Sequence, residues 1–257
     1  MNPLSPGSTQ TNDPIPIRTD DSLPIRADHP IPPAITFSPE RSLRVAALLT
    51  LSGGFLDAFT YVGHGKVFAN SMTGNVIFLG FYAAAGKWDE VIPHLLPILT
   101  FLVGVFIANW MRLPKVLKHL PRPALTCLSL EIIFLIFASF LPASFPDLIL
   151  VPGIAFVAAM QNSSFTLLET WTYNSVMTTG NLRRFAEALF GGILPIHDPA
   201  QLRQARHFGL ICLCFFAGAI FGGLTTARWH NYALWIPVIF LAAAFFLCFP
   251  RPSPPKS

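Results

Sequence analysis

Charged residues are scarce in this sequence. Only 12% of its 257 residues are charged and 53% are hydrophobic, whereas a soluble domain carries about a quarter charged residues. This shortage excludes an ordinary water-soluble domain. The formal net charge of +4 does not indicate nucleic-acid binding either, because the Lys and Arg residues stand beside apolar segments, as they do in the loops of membrane proteins.

Cysteine and metal-ligand patterns are also nearly missing. The four cysteines lie inside apolar blocks, where cysteine acts as a small hydrophobic residue, and the seven histidines are scattered without metal-ligand spacing. We therefore predict no disulfide framework, no metal site and no cofactor. No apolar block combines a nucleophile with a base or carries a His-containing catalytic motif, which weighs against an enzyme.

Long apolar runs dominate the rest of the chain. Each of six blocks approaches the roughly 20 residues that span a bilayer core, and only helices and closed barrels satisfy the backbone in lipid. The sequence therefore predicts an all-α, polytopic transmembrane helix bundle. The six blocks occupy residues 43–63, 93–111, 124–142, 148–168, 208–227 and 232–250.

The two ends of the chain have a different composition. Residues 1–40 hold nine prolines and a near-duplication, PIPIRTDD followed by LPIRADHP, without an apolar segment. We predict a disordered, Pro-rich cytoplasmic tail there. Residues 251–257, RPSPPKS, are predicted to form a short basic tail.

The tripeptide Thr-Gly-Asn occurs twice, at 73–75 and at 179–181, and the surroundings of the two copies correspond. Each copy follows a span with a polar centre and opens a short segment. Each then precedes a glycine-containing span, FLVGVFIAN in one half and FFAGAIFGG in the other, and a final aromatic span. A repeated order of this kind predicts two membrane repeats, residues 41–142 and 143–250.

The short segments at 73–86 and 179–192 decide the predicted topology. The first is too short to cross comfortably, and the second carries Arg183, Arg184 and Glu187, which are costly in hydrocarbon. Six spans with two half-helices place both termini and most basic loops in the cytoplasm, whereas eight spans divide the basic loops between the two sides. Three spans per repeat make the repeat inverted, as in many secondary transporters. The expected location is the plasma (inner) membrane.

Two half-helix N-termini would frame a solute site, because unpaired N–H groups and the positive dipole end attract anions. The alternative is that Thr-Gly-Asn only caps a short helix and permits close packing. The candidate substrate-binding or coupling residues are Asp57, Asn70, Thr73, Gly74, Asn75, Glu131, Gln161, Asn162, Thr179, Gly180 and Asn181.

Asp57 and Glu131 are carboxylates inside predicted spans, where a charged group costs about 2.5–3.5 kcal/mol on insertion scales. Asp57 is expected either to bind a coupling proton or cation, or to form a structural pair with His64 or Lys66. Its counterpart in the other repeat is the neutral pair at 161–162, which favours one coupling site over two. For Glu131 the alternatives are a proton relay and a hydrogen bond to a neighbouring hydroxyl or a facing helix.

The stretch GGFLDAFTYVGHGKVFANSMTGNVIFLG resembles the signature of the YoaK-like family, bacterial multispanning membrane proteins described as a domain of unknown function. Residues 54–58, 68–75 and 179–181 match its motifs, and the Gln-Asn pair at 161–162 is similar to one in that family. The resemblance covers about residues 42–250. It implies an integral membrane protein with about this number of spans, and it implies no established reaction.

These features favour a secondary transporter of a small polar or anionic solute, embedded in the lipid bilayer and coupled to a proton or cation through a buried carboxylate. The first alternative is a channel, or a membrane sensor or scaffold whose tail binds a partner. The second is an intramembrane hydrolase that uses Asp57 or Glu131 as acid or base.

Overall fold

The computed structural model describes residues 38–194 and 197–249, and most of them are helical. This part of the chain contains nine α-helices: α1 (Leu43–Gly63), α2 (Met72–Ala84), α3 (Trp88–Trp110), α4 (Pro114–Leu117), α5 (Pro123–Ser139), α6 (Asp147–Ser164), α7 (Thr178–Ile193), α8 (Pro199–Trp229) and α9 (Trp235–Leu247). Two 3-10 turns, Pro39–Arg41 and His230–Leu234, precede α1 and α9. Two short strands, β1 (Leu167–Leu168) and β2 (Trp171–Thr172), pair antiparallel between α6 and α7.

Three stretches are long and apolar enough to cross a membrane: α1, α3 and the run Pro199–Leu247, which joins α8 to α9. Helices α2 and α5 are shorter apolar helices. Large apolar side chains point outward, and Phe106 on α3, Phe216 on α8 and Phe246 on α9 are 74%, 63% and 73% exposed. An apolar surface of this extent is stable in contact with lipid rather than with water.

Each long helix packs against a small set of neighbours. Helix α1 lies against α8, and α3 lies against α6, while α2 packs on α3 and α7 packs on α8. Helix α9 contacts α1 and α5, and α5 also contacts α6. The largest buried apolar cluster joins α1, α5, α6 and α9, and it includes Phe55, Leu128, Ile154 and Leu241.

Glycines allow the backbones of the paired helices to touch. A Cβ atom on Gly54 of α1 would lie 2.1 Å from the carbonyl oxygen of Phe215 on α8, and one on Gly218 would lie 2.0 Å from that of Leu51. In the other pair, a Cβ on Gly104 of α3 would lie 2.5 Å from a carbonyl oxygen of α6. Small residues permit this close approach in membrane helices, where dispersion contacts and weak polar contacts drive association.

Some apolar blocks have different bounds in the structure. The block at 148–168 is helical only as far as Ser164, and its last residues form β1. The block at 93–111 belongs to a helix that begins earlier, at Trp88. The residues after Ser164 in the first of these blocks are still mostly apolar, Phe-Thr-Leu-Leu, so hydropathy alone does not mark where a helix ends.

The largest extension concerns the block at 208–227, because α8 begins at Pro199. The carboxylate of Asp198 caps this helix by accepting hydrogen bonds from the N–H groups of Ala200 at 2.9 Å and Gln201 at 3.4 Å. The bond from Ala200 is the main cause that lowers the pKa of Asp198. A capping Asp followed by Pro is a strong helix start signal, which an apolar window does not contain.

The predicted tails, residues 1–40 and 251–257, lie outside the described residues apart from 38–40. The described residues before α1 form the turn Pro39–Arg41. Helix α1 then begins with a side-chain cap, because the Ser42 hydroxyl accepts a hydrogen bond from the Val45 N–H at 3.3 Å. Capping of this type satisfies one of the unpaired N–H groups of the first turn.

Candidate functional site

The asparagine of each Thr-Gly-Asn closes the loop that leads into its helix. Asn75 accepts a hydrogen bond from the Phe68 N–H at 3.0 Å and donates one to the Phe68 carbonyl at 2.7 Å. Asn181 makes the same two bonds to Asn174, at 3.3 Å and 2.6 Å. Because a carboxamide donates and accepts at the same time, Asn closes a loop in a way that Asp does not. We refer to these two arrangements as the asparagine clamps.

A polar residue in the helix that precedes each clamp, Asp57 in α1 and Asn162 in α6, also hydrogen-bonds the loop that the clamp closes. The carboxylate of Asp57 accepts hydrogen bonds from the N–H groups of Asn70 at 2.7 Å and Ser71 at 3.2 Å, and also from the Ser71 hydroxyl. In the second half, Asn162 accepts a bond from the Ser175 hydroxyl at 3.2 Å. Both α1 and α6 therefore position the loop that enters the next short helix.

The structure gives Asp57 a different partner from those considered on sequence. His64 pairs with Asp147, the first residue of α6, at 2.6 Å between Nδ1 and Oδ1. Within the described residues, Asp57 forms no ion pair and keeps only the hydrogen bonds from its loop. It is 4% exposed, so its charged form is stabilised by backbone and hydroxyl donors rather than by a cationic side chain.

Glu131 lies apart from the two loops, on α5. It is buried, and its Oε2 finds no hydrogen-bond partner among the described residues. The neighbouring hydroxyls of Ser129 and Thr126 instead bond backbone carbonyls four residues earlier in the chain. Gln161 of α6 is also buried, and its Nε2 finds no partner within the same residues.

The N-termini of α2 and α7 border one cavity of about 690 Å³. Four lining residues come from the loop and first turn of α2, five come from the loop and first turn of α7, and one phenylalanine comes from each of α3 and α8. The lining comprises Asn70, Ser71, Met72, Thr73, Phe101, Val176, Met177, Thr178, Thr179, Gly180 and Phe215. The two copies of the repeated tripeptide therefore meet at the same space.

The backbone N–H groups at the two helix starts are not equally free. In the first turn of α2, the N–H groups of Met72 and Gly74 bond the carbonyls of Asn70 and Ser71, each at 2.9 Å. Within the described part of the chain, the N-cap residues Ser71 and Met177 make no side-chain bond to their first helical turns. The Ser71 hydroxyl is already bonded to Asp57. First-turn N–H groups have no partner inside their own helix, and the aligned peptide dipoles add partial positive charge. The Asp57 carboxylate already bonds the loop at the start of α2, so the start of α7 is the end that better suits a further anionic group.

The cavity wall also contains polar atoms with incomplete bonding. Asn70 is 2% exposed and donates a long bond of 3.4 Å to the Gly53 carbonyl, but its Oδ1 has no partner in the described residues. The Thr178 hydroxyl is also buried and has no hydrogen-bond partner in the described residues. Buried polar atoms are nearly always paired, so these two atoms, which are enclosed by the surrounding protein, are exceptions beside the cavity.

The lining carries no formal charge. Among the described residues, those that line the cavity include no Asp, Glu, Lys, Arg or His. The nearest acid in the bonding network is Asp57, which is connected to the cavity through Asn70 and Ser71. Residues 38–194 and 197–249 contain no group of three or more His, Cys, Asp or Glu that could hold a metal ion.

Of the sequence-predicted residues, four line the cavity: Asn70, Thr73, Thr179 and Gly180. The asparagines of the clamps and the polar residues of α1 and α6 stand behind them, where they shape the loops. The glycines of the two Thr-Gly-Asn copies differ in the space around them. A Cβ atom on Gly74 would lie 2.8 Å from the Phe68 ring, whereas one on Gly180 would meet nothing within 4 Å.

Sequence reasoning missed the apolar part of the lining, which is contributed by Phe101, Phe215, Met72, Met177 and Val176. A signal for two of them existed, since Phe101 and Phe215 begin the matching stretches FLVGVFIAN and FFAGAIFGG. In a chain with 24 phenylalanines that match did not separate a cavity wall from ordinary packing.

The apolar helices of membrane-spanning length and their exposed apolar side chains define an integral membrane protein. The chain belongs to the family described as "Protein of unknown function (DUF1275)", which it matches over residues 45–247. It is 27% identical over 199 residues to the "UPF0700 transmembrane protein YoaK" of Bacillus subtilis (strain 168). The aligned region covers 76% of this chain and 88% of that protein. The resemblance to a YoaK-like family is thereby confirmed. No solved structure matches this chain.

Proposed function

We propose that this protein is a secondary transporter of a small polar or anionic solute, and that the cavity between the N-termini of α2 and α7 is its solute site. The observation that carries the proposal is the single 690 Å³ cavity bordered by both helix starts. A cavity of several hundred Å³ is the usual size of a small-molecule site. Irregular backbone at membrane depth is tolerated where it lines such a cavity.

The proposal includes an inverted repeat, with residues 41–142 as one unit and 143–250 as the other. In each unit the corresponding helices make corresponding contacts. Helix α1 packs on α8, and its counterpart α6 packs on α3. Helix α2 packs on α3 and α7 packs on α8, while α1 contacts α9 and α6 contacts α5. Each clamp also joins its Asn to a residue seven positions earlier. Equal contacts made by equivalent elements support two copies of one structural unit.

The topology we propose has six spans, α1, α3, α5, α6, α8 and α9, with α2 and α7 as half-helices. With 13 and 16 residues, α2 and α7 are about 20 and 24 Å long, which is shorter than the roughly 30 Å hydrocarbon core. Helix α9 also has 13 residues but continues directly from the turn His230–Leu234, whereas α7 carries the exposed charges of Arg183 and Glu187, which are costly in hydrocarbon.

We propose that both termini lie in the cytoplasm, as an even number of spans permits, and that the protein lies in the plasma (inner) membrane. The basic connection between α3 and α5, with Arg112, Lys115, Lys118 and Arg122, then lies on the cytoplasmic side, as the positive-inside rule favours.

The proposed coupling group is Asp57, acting through its loop. As a carboxylate, Asp57 accepts hydrogen bonds from the N–H groups of Asn70 and Ser71 and from the Ser71 hydroxyl. A proton on one carboxyl oxygen removes an acceptor for Ser71, a residue of the cavity wall. The same proton cancels the negative charge behind the cavity, so that an anion and a proton are carried together as a neutral pair.

The test is solute uptake by the full chain reconstituted in liposomes, with and without a proton gradient. We expect uptake against the solute gradient when the outside is acidic, and we expect Asp57→Asn to keep downhill flux but lose proton-driven accumulation. Glu131→Gln is the matched control, because Glu131 is an equally buried carboxyl that, unlike Asp57, makes no hydrogen bond to the described residues of the cavity wall. Equal accumulation by wild type and Asp57→Asn would remove Asp57 from coupling, and downhill flux alone in all variants would indicate a channel.

A second test needs no knowledge of the solute. A thiol introduced by Thr179→Cys, on the cavity wall, should react with membrane-impermeant reagents added from either side, because a transporter opens its site to each side in turn. The parent chain is the control for its own cysteines, which are buried or half-buried on apolar helices. Protection of the new thiol from both sides would contradict the proposal and favour a scaffold.

A further inference from the structure

We propose that an apolar groove between α7 and α8 binds an anionic phospholipid, with an acyl chain in the groove and the phosphate on the guanidinium of Arg206. The groove has a volume of about 680 Å³ and shares no lining residue with the proposed solute cavity. It is therefore a second site, and the inference does not depend on the transporter proposal. Charge complementarity and the apolar lining identify the occupant.

Apolar side chains from three helices form the groove. Leu182 and Phe185 come from α7, Leu43 comes from the start of α1, and Gly209 and Leu213 come from α8. Leu182 and Leu213 are 53% and 64% exposed, so the groove opens outward, where a membrane protein meets hydrocarbon. A flexible apolar chain fills such a surface without leaving a polar group unpaired.

One positive charge stands in this lining. Arg206 is exposed, and within the described residues it forms no ion pair. Two other arginines of these helices are engaged elsewhere. Arg203 bonds Glu169 at 2.7 Å, and Arg184 bonds the Thr172 hydroxyl at 2.6 Å. The Arg206 guanidinium is therefore available to an anion, and its planar donors match the oxygens of a phosphate group.

The position of Arg206 along α8 fits a phospholipid at the membrane boundary. Seven residues separate Arg206 from Leu213 in α8, which is about 10 Å of helix. Under the topology proposed above, α8 begins on the cytoplasmic side and runs inward from Arg206 toward Leu213. A phospholipid of that leaflet has its phosphate and its acyl chain in the same order, and basic pockets between membrane helices on this side recognise anionic headgroups.

The surrounding charges favour an anionic lipid over a zwitterionic one. Arg44 is also exposed and without an ion pair in the described chain, and it lines a neighbouring groove that shares Leu43 with the first. Neither groove has an Asp or Glu among its described lining residues. Glu40 lines a different pocket, together with Arg41 and Arg112. The ammonium group of a zwitterionic headgroup would meet positive charge here and gain no partner.

The experiment measures lipid binding to the full-length protein in detergent, by native mass spectrometry and by the shift in thermal unfolding. The probes are phosphatidylglycerol, phosphatidylethanolamine with the same acyl chains, and inorganic phosphate. We expect phosphatidylglycerol to bind about tenfold more tightly than phosphatidylethanolamine, the factor that one charge-assisted hydrogen bond supplies. Inorganic phosphate should neither shift the unfolding temperature nor displace the lipid, because it lacks the acyl chain.

The variant that tests the phosphate contact is Arg206→Gln, which should reduce the preference for phosphatidylglycerol to within about twofold. Arg206→Lys should keep most of the preference, since Lys binds phosphate as a point charge. The matched control is Arg183→Gln, which removes the same charge from an exposed arginine that pairs with Glu187 and does not line the groove. This control should keep the full preference.

A second pair of variants tests the acyl-chain contact. Leu213→Ala should weaken the binding of both phospholipids without changing the preference between them, because it removes apolar contact and leaves Arg206 in place. Leu224→Ala is the control, because Leu224 is also 64% exposed on α8 but lies outside the groove. It should leave both affinities unchanged. Unfolding temperatures without added lipid verify that each variant is folded.

Four results would overturn the inference. They are equal binding of the two phospholipids by the wild type, an unchanged preference after Arg206→Gln, an equal loss of preference after Arg183→Gln, and displacement of the lipid by inorganic phosphate. A stable dimer that retains no lipid would instead assign the groove to a second copy of this chain. None of these outcomes bears on the solute cavity, which the accessibility of Thr179→Cys tests separately.

Discussion

The asparagine clamps predict that a substitution usually regarded as conservative disrupts this protein. Asn75 is fully buried, accepts from the Phe68 N–H and donates to the Phe68 carbonyl at 2.7 Å. Asn75→Asp keeps the acceptor, removes the donor, and places a carboxylate oxygen against that carbonyl. An unsatisfied buried carbonyl costs about 1–3 kcal/mol and the buried charge adds to it, so we expect a loss of about 3 kcal/mol in the free energy of unfolding.

The matched control is Asn109→Asp on α3. Asn109 is exposed, and its only described bond runs to the Val105 carbonyl of its own helix at 2.8 Å, so this change should cost less than about 0.5 kcal/mol. The assay is thermal unfolding in detergent, followed by the loss of the monodisperse protein peak. Acidification should partly rescue Asn75→Asp, because a protonated carboxyl again donates to Phe68. Equal unfolding temperatures for the two variants would refute the clamp.

Two further predictions use pairs of glycines. Gly218→Ala should destabilise the protein by about 1–3 kcal/mol, since its Cβ would lie 2.0 Å from a carbonyl oxygen of α1 and overpacking at such sites costs this much. Gly223→Ala, with nothing within 4 Å, should leave the unfolding temperature unchanged or higher, because Ala favours the helix. Gly74→Ala should lower stability by forcing the Phe68 ring to move from 2.8 Å, whereas Gly180→Ala should preserve the unfolding temperature and reduce solute flux by narrowing the cavity. The first pair fails if both variants unfold alike, and the second fails if Gly180→Ala changes stability rather than flux.

The membrane class and the family were predictable from the sequence, because the physical signals for them are local. Continuous apolar runs with few charges predict membrane helices, and the helices α1, α3, α5, α6 and α9 lie within or close to the predicted blocks. The start of α8 at Pro199 was not predicted, because a capping Asp and a polar first turn precede its apolar part. The hairpin of β1 and β2 was missed for a similar reason, since two-residue strands leave no periodic pattern.

The candidate site was predicted in outline and not in detail. The repeated Thr-Gly-Asn indicated two special helix starts, and both border the same cavity. The sequence did not reveal that Asn75 and Asn181 clamp loops while Thr73 and Thr179 face the cavity, because adjacent residues of one motif point in different directions in a helix. Nor did it reveal the loop donors to Asp57, since that contact joins residues 13 and 14 positions apart.

The central claim is that the two short helices meet head-on at a shared cavity within the membrane, and crosslinking tests it most directly. In a variant with Thr73→Cys and Thr179→Cys, a short bifunctional thiol reagent should join the two residues, as judged by intact mass and peptide mapping, and the crosslink should stop solute flux. The control pair is Ala84→Cys with Ile193→Cys, at the far ends of helices about 20 and 24 Å long, which should remain unjoined. Efficient crosslinking at the far ends with none at the helix starts would contradict the account.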